Sequence, residues 1–197
     1  MKAIRGIRTA QAAVAVNRHH RRSFSNNALA RATKAPTPQF RLKKILVPTD
    51  FSEFSAKAVD YALAFAGHSH ATLVLLHVVE PTIYPASDQM MPVVVYVDDL
   101  QRQRVRSSRK RLAQFSAERI AGRVPTRLLV GIGNPYEVIT ERAKSLGADL
   151  IIIPTHGHGG LRRFLLGSTA ERVVRHAPCP VLIVRDREHE CIITRDA

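Results

Sequence analysis

Short runs of apolar residues alternate along this chain with longer segments whose apolar positions recur every three or four residues. The first run, Ile45-Leu46-Val47 within residues 43–48, is closed by a proline and predicts a buried strand. Asp50-Phe51-Ser52-Glu53 then supplies cap-forming residues. Ala58, Val59, Ala62, Leu63 and Ala66 repeat at helical spacing up to Gly67, where the helix is expected to end. Residues 71–79 are apolar except for His77, the mark of a strand covered on both faces, as in parallel sheets. Prolines at 81, 85 and 92 predict a loop, with residues 91–97 as a short additional strand or a strand-like loop. Asp98 and Asp99 suit the start of a long basic helix reaching about Ala121, with Val105, Leu112, Phe115 and Ile120 facing the core.

The same alternation continues to the end of the pattern. Residues 127–130 form the third strand. Asn134-Pro135-Tyr136-Glu137 opens the next helix, with Asn as cap, Pro at the first position and Glu able to reach back; Gly147 ends it. Residues 149–153 are the fourth strand and Val181–Val184 the fifth. Between them lie a glycine-rich loop over 155–167 and a helix from Ser168 that stops before Pro178. Five strands separated by helices imply a three-layer, doubly wound α/β sandwich with a five-stranded parallel sheet and right-handed crossovers. Ligands of such sheets lie beyond the carboxyl ends of the strands, at the switch in strand order.

Charge separates the N-terminal segment from the rest. The chain has 197 residues and a formal net charge of +14, yet residues 1–44 hold 11 Lys or Arg and no acid. The basic pI therefore belongs mainly to that segment and says little about the globular part. Residues 1–39 read as a basic tail: an organellar transit peptide, a disordered extension, a start placed too far upstream, or an arm for nucleic acid. Residues 40–187 form the domain and 188–197 a C-terminal tail. The seven Lys or Arg of the long helix read as a solvated outer face rather than a nucleic-acid surface. No run of 18 apolar residues exists, so no membrane span is expected. The two cysteines, Cys179 and Cys191, suit neither a disulfide framework nor a zinc site, and fit a reducing compartment. Cytoplasm is the expected location, with an organelle as the alternative if residues 1–39 are a transit peptide.

Candidate chemistry concentrates in the loop after the fourth strand. Gly157, Gly159, Gly160 and Gly167 let the backbone turn sharply and approach a ligand. The helix that follows offers unpaired N–H groups and the positive end of its dipole, which suits phosphate. Ser168 and Glu171 could equally form a capping box that needs no ligand. His156 and His158 lack the carboxylate or thiolate partners a metal site needs. His77 reads as a satisfied core histidine and Asp50 as a helix cap. No P-loop is present, and Gly131-Ile132-Gly133 lacks the third glycine of a dinucleotide fingerprint. No nucleophile–base pair stands out.

From Lys43 to about Arg185 the sequence resembles the universal stress protein family. Leu46-Val47-Pro48-Thr49-Asp50-Phe51-Ser52 resembles the family's first strand and loop, Leu76-His77-Val78 the end of its second strand, and residues 177–184 its final turn and strand. Nucleotide-binding members carry G-x2-G-x9-G-[ST]. Gly157, Gly167 and Ser168 match its second glycine, third glycine and hydroxyl residue, while Pro154 stands in place of the first glycine. The resemblance implies an adenine-nucleotide alpha-hydrolase-like fold that binds ATP, with Mg²⁺, and hydrolyses it slowly or not at all. It implies that Pro48, Thr49 and Asp50 border the adenosine and that Val78 offers backbone groups to the adenine edge. Gly157 and Gly167 would give backbone N–H groups to the phosphates, with Ser168 and Thr169 completing the cradle. Proline has no N–H and cannot take a positive φ, so Pro154 removes any donor at its position. A regulatory nucleotide-binding protein of the stress response is the leading expectation. The alternatives are a dimeric interaction protein of the same fold that binds no nucleotide, and an ATP-dependent transferase. A homodimer paired through the last strand is also expected from the resemblance.

Overall fold

A computed structural model describes residues 41–81, 93–157 and 166–185, with side chains given from 99 onward in the second of these segments. The chain divides into two units, Met1–Gln39 and Phe40–Ala197, and every described residue belongs to the second.

The described elements are β1 (Lys44–Pro48), α1 (Glu53–Ser69), β2 (Thr72–Val79), α2 (Val93–Arg119), β3 (Thr126–Ile132), α3 (Pro135–Leu146), β4 (Leu150–Pro154), α4 (Ser168–His176) and β5 (Val181–Val184). The strands form one parallel sheet in the order β3-β2-β1-β4-β5. Alternate residues of each strand enter opposite cores, as the two-residue period of a strand requires. On one face Ile45, Val47, Leu73, Leu75 and Ile152 pack with Ala58, Val59 and Ala62 of α1 and Leu112 of α2. On the other, Leu46, Val74, Leu76, Ile151 and Ile153 pack with Val138 and Ile139 of α3 and Ala170 and Val173 of α4. The three-layer, doubly wound sandwich expected from the alternation is thus the observed architecture.

Several local expectations are corrected. Residues 93–97 are not a strand but the opening of α2, which begins directly after Pro92 and has no acid in its first turn. The run Val93-Val94-Val95-Tyr96-Val97 favours strands, but that preference is weak and context-dependent, and here it yields to a helix of 27 residues. Gly67 does not end α1. The helix continues to Ser69, and His70 takes the left-handed conformation (φ 54°) with its N–H donating to the Ala66 carbonyl. Asp50 is not the cap either, for Ser52 accepts from the Ser55 N–H in that role. In α3 the cap Asn134, Pro135 at the first turn and the left-handed Gly147 are as expected, but Glu137 accepts from the Tyr136 hydroxyl instead of reaching back. The Ser168–Glu171 capping box is absent: Gly167 occupies the cap position without a side-chain bond, and Glu171 pairs with Arg175 at 2.9 Å. Ser168 is the first helical residue, where its hydroxyl is no longer placed to cap. In the long helix Leu112 is fully buried, as is Ile120 just beyond it, while Val105 and Phe115 are half-buried.

Candidate functional site

The sheet order reverses between β1 and β4, and a cleft of about 1220 Å³ opens at their carboxyl ends. All nine residues singled out from the sequence line it. Pro48, Thr49 and Asp50 come from the end of β1 and its loop, and Val78 from β2. Pro154 and Gly157 follow from β4, and Gly167, Ser168 and Thr169 open α4.

The β1 loop is built by short polar contacts. Thr49 continues the sheet by donating its N–H to the Leu76 carbonyl at 2.8 Å. Its hydroxyl meets that of Ser55 at 2.9 Å and accepts from the Phe51 N–H at 3.0 Å. One carboxylate oxygen of Asp50 accepts from both the N–H and the hydroxyl of Ser52, at 3.0 and 2.5 Å. This local turn is what an aspartate before a helix start favours, and it fixes the carboxylate. Phe51 pays for the tight turn with a left-handed backbone (φ 67°), uncommon for a bulky residue.

The loop after β4 is fastened at both ends. Thr155 donates its N–H to the Val184 carbonyl at 2.9 Å, and its own carbonyl accepts the Gly167 N–H at 2.7 Å. A Cβ on Gly167 would come within 2.9 Å of that carbonyl oxygen, so only glycine closes the loop without a shift. At Gly157 a Cβ would overlap the second carboxylate oxygen of Asp50. The β1 and β4 loops therefore touch at the switch point through a glycine. The expected Gly167 donor is spent on Thr155; the donors left at this end are the first N–H groups of α4, which have no partner within the helix. Pro154 lies in β4 opposite Val184 and is buried. Gly159, Gly160 and His158 lie outside the described residues. Among the described residues no cluster of three metal-ligating side chains exists.

Two features escaped the sequence reading. The first is α2. Its basic face was expected to be solvated, yet Leu100, Gln103, Arg104, Ser107, Ser108 and Arg111 line the cleft. Their spacing puts them on one helical stripe. The available signal was the serine pair, small and polar on a helix otherwise rich in long side chains. The Arg111 guanidinium lies 4.4 Å from the centre of the Phe51 ring, and Arg104 donates to the Glu80 carbonyl at 3.1 Å. The second is His77. It is hydrogen bonded, as expected, but it lines the cleft. Its Nδ1 lies 2.8 Å from the Thr49 carbonyl, which can only accept, so Nδ1 carries the hydrogen. Its ring centre is 4.4 Å from that of Phe51. Burial pushes its pKa below the ordinary 6.5; Arg111 adds to this, while the Thr49 bond and Asp50 oppose it. Cys179 is a free thiol whose pKa is raised, by burial first and by Asp149 second, which makes it a poor nucleophile.

Comparison with known proteins adds three findings. A family model described as the universal stress protein family matches residues 41–185. Universal stress protein MJ0531 of Methanocaldococcus jannaschii is 34% identical over 151 residues, covering 75% of this chain and 85% of its own length. Two solved structures share the fold. Universal stress protein UspA from Lactobacillus plantarum has 31% identity and a TM-score of 0.59, covering 75% of this chain and all of that one. The Methanocaldococcus jannaschii protein MJ0577 has 28% identity and a TM-score of 0.65, covering 76% of this chain and all of that one.

Proposed function

This chain belongs to the universal stress protein family, and from that premise we propose that it is a stress-response regulatory protein that binds ATP in the cleft between β1 and β4. The phosphates would lie against the α4 N-terminus, with Gly157, Ser168 and Thr169 beside them. The adenosine would lie toward Pro48, Thr49, Asp50 and Val78. The observation that carries the reading is the α4 N-terminus: preceded by Gly167, its first N–H groups have no partner within the helix and open into the cleft at the switch point. Backbone approach without side chains, joined to a helix dipole, is the arrangement phosphate requires. Mg²⁺ would be held mainly by the phosphates and water, since Mg²⁺ in nucleotide sites takes only one or two protein carboxylates. Asp50 is the carboxylate nearest Gly157. The reading is regulation by occupancy, with hydrolysis slow or absent.

A second reading is an interaction protein of the same fold that binds no nucleotide. Two observations favour it: Pro154 supplies no N–H, and the Gly167 N–H is already bonded to Thr155. Native mass spectrometry of protein purified from bacteria without added nucleotide separates the two. Co-purified ATP supports the first. Empty protein that also fails to bind ATP in calorimetry supports the second. Under either reading we propose a homodimer paired through β5, which ends the sheet and whose Val181, Leu182 and Ile183 are only half-buried.

A further inference from the structure

The cleft is walled on its two sides by unlike elements. The α4 N-terminus approaches from the face of the sheet that packs α3 and α4, and α2 approaches from the opposite face. The α2 wall is polar along its length: Gln103, Arg104, Ser107, Ser108 and Arg111 with one apolar member, Leu100. A helix that only covered a core would present apolar residues on such a stripe. Arg111 is held by its stack on Phe51, itself fixed in a left-handed turn, and its charge acts on His77. Among the described residues no carboxylate pairs with Arg111. Of the acids lining the cleft, Asp50 bonds Ser52 and Glu171 pairs with Arg175. The volume, about 1220 Å³, exceeds the roughly 300–1,000 Å³ of ordinary small-ligand clefts.

We propose that the C-terminal part of the α2 wall, Arg111 with Ser107 and Ser108 one turn before it, is a second anion subsite, so that the cleft takes a nucleotide carrying a phosphate on its ribose in addition to its 5′ chain. The inference rests on the nucleotide reading above. A guanidinium and two hydroxyls match a phosphate monoester, whose oxygens accept charge-assisted hydrogen bonds. A nucleotide phosphorylated at both ends would touch both walls, whereas one with a single phosphate group would engage only the α4 side.

The test is calorimetry on the full chain with AMP, adenosine 3′,5′-bisphosphate and adenosine 2′,5′-bisphosphate. In the wild type at least one bisphosphate should bind about tenfold tighter than AMP, and the better of the two identifies the ribose position. In Arg111→Ala that ratio should fall to about one, and Arg111→Lys should recover part of it. Melting curves confirm that each variant is folded. AMP binding with no gain for either bisphosphate overturns the subsite and leaves the nucleotide reading standing. A gain that survives Arg111→Ala overturns the assignment to α2. Binding of ATP but of none of the three overturns the subsite alone, and binding of neither ATP nor any of the three overturns both.

Discussion

At the scale of single residues, the site depends on two glycines and one histidine. Gly157→Ala would drive a methyl group into the Asp50 carboxylate, which Ser52 holds in place and which therefore cannot simply turn aside. The expected outcome is a folded protein destabilised by about 1–3 kcal/mol, the usual cost of overpacking, with nucleotide affinity clearly reduced; urea unfolding and calorimetry read the two effects separately. His77 carries a pH dependence whose sign follows from its surroundings. Burial lowers its pKa below the ordinary 6.5, so below that pH the unfolded chain binds a proton more readily than the folded one. Stability is then fully present above pH 6.5 and falls as the pH drops from 6.5 through the folded value. Unfolding of wild type and His77→Gln should differ in slope across pH 5 to 7, with the variant flatter; parallel slopes would mean that His77 titrates as an ordinary exposed histidine. The sequence marked Gly157 and Gly167 as places of close backbone approach. It could not show that the Gly167 N–H is used to close the loop, because that bond depends on where Thr155 stands in β4.

At the scale of elements, the caps decide how each loop delivers its residues. Ser52 caps α1 while its own N–H and hydroxyl hold Asp50, so one residue serves both the helix and the site. Ser52→Ala should cost about 1 kcal/mol of stability, as N-cap losses do, and should also weaken nucleotide binding by releasing Asp50. A purely structural cap would produce the first effect without the second. At the edge of the sheet, Ile183→Pro would remove a backbone donor from β5 and should weaken self-association. Sedimentation over a range of concentrations would show it, and a wild type that stays monomeric at high concentration would rule the β5 dimer out. The corrected start of α2 belongs to this scale too. Five residues with strand preference were drawn into a helix because a long helix gains one backbone bond per added residue and packs Leu112 into the core.

At the scale of the whole molecule, the basic N-terminal segment and the domain are separable predictions. The core begins with β1, and the proposed ligand contacts begin at Pro48. Deleting residues 1–38 should therefore leave the melting temperature within about 2 °C and nucleotide affinity intact, and any effect should appear in localisation or in salt-sensitive binding to polyanions. A loss of several degrees would place the domain boundary earlier than the apolar pattern does. By itself the sequence determined the strand and helix order, the two-sided burial of β1, β2 and β4, and the glycine-bearing loop and helix start that border one end of the cleft. These follow from local periodicity and from glycines at a loop, both readable along one stretch of chain. Only the tertiary structure decided that Asp50 meets Gly157, that Thr155 closes the loop through Gly167, and that α2 turns arginines and serines toward the cleft. Each of these joins residues distant in sequence, and a polar helical stripe looks the same in a sequence whether it faces water or a ligand.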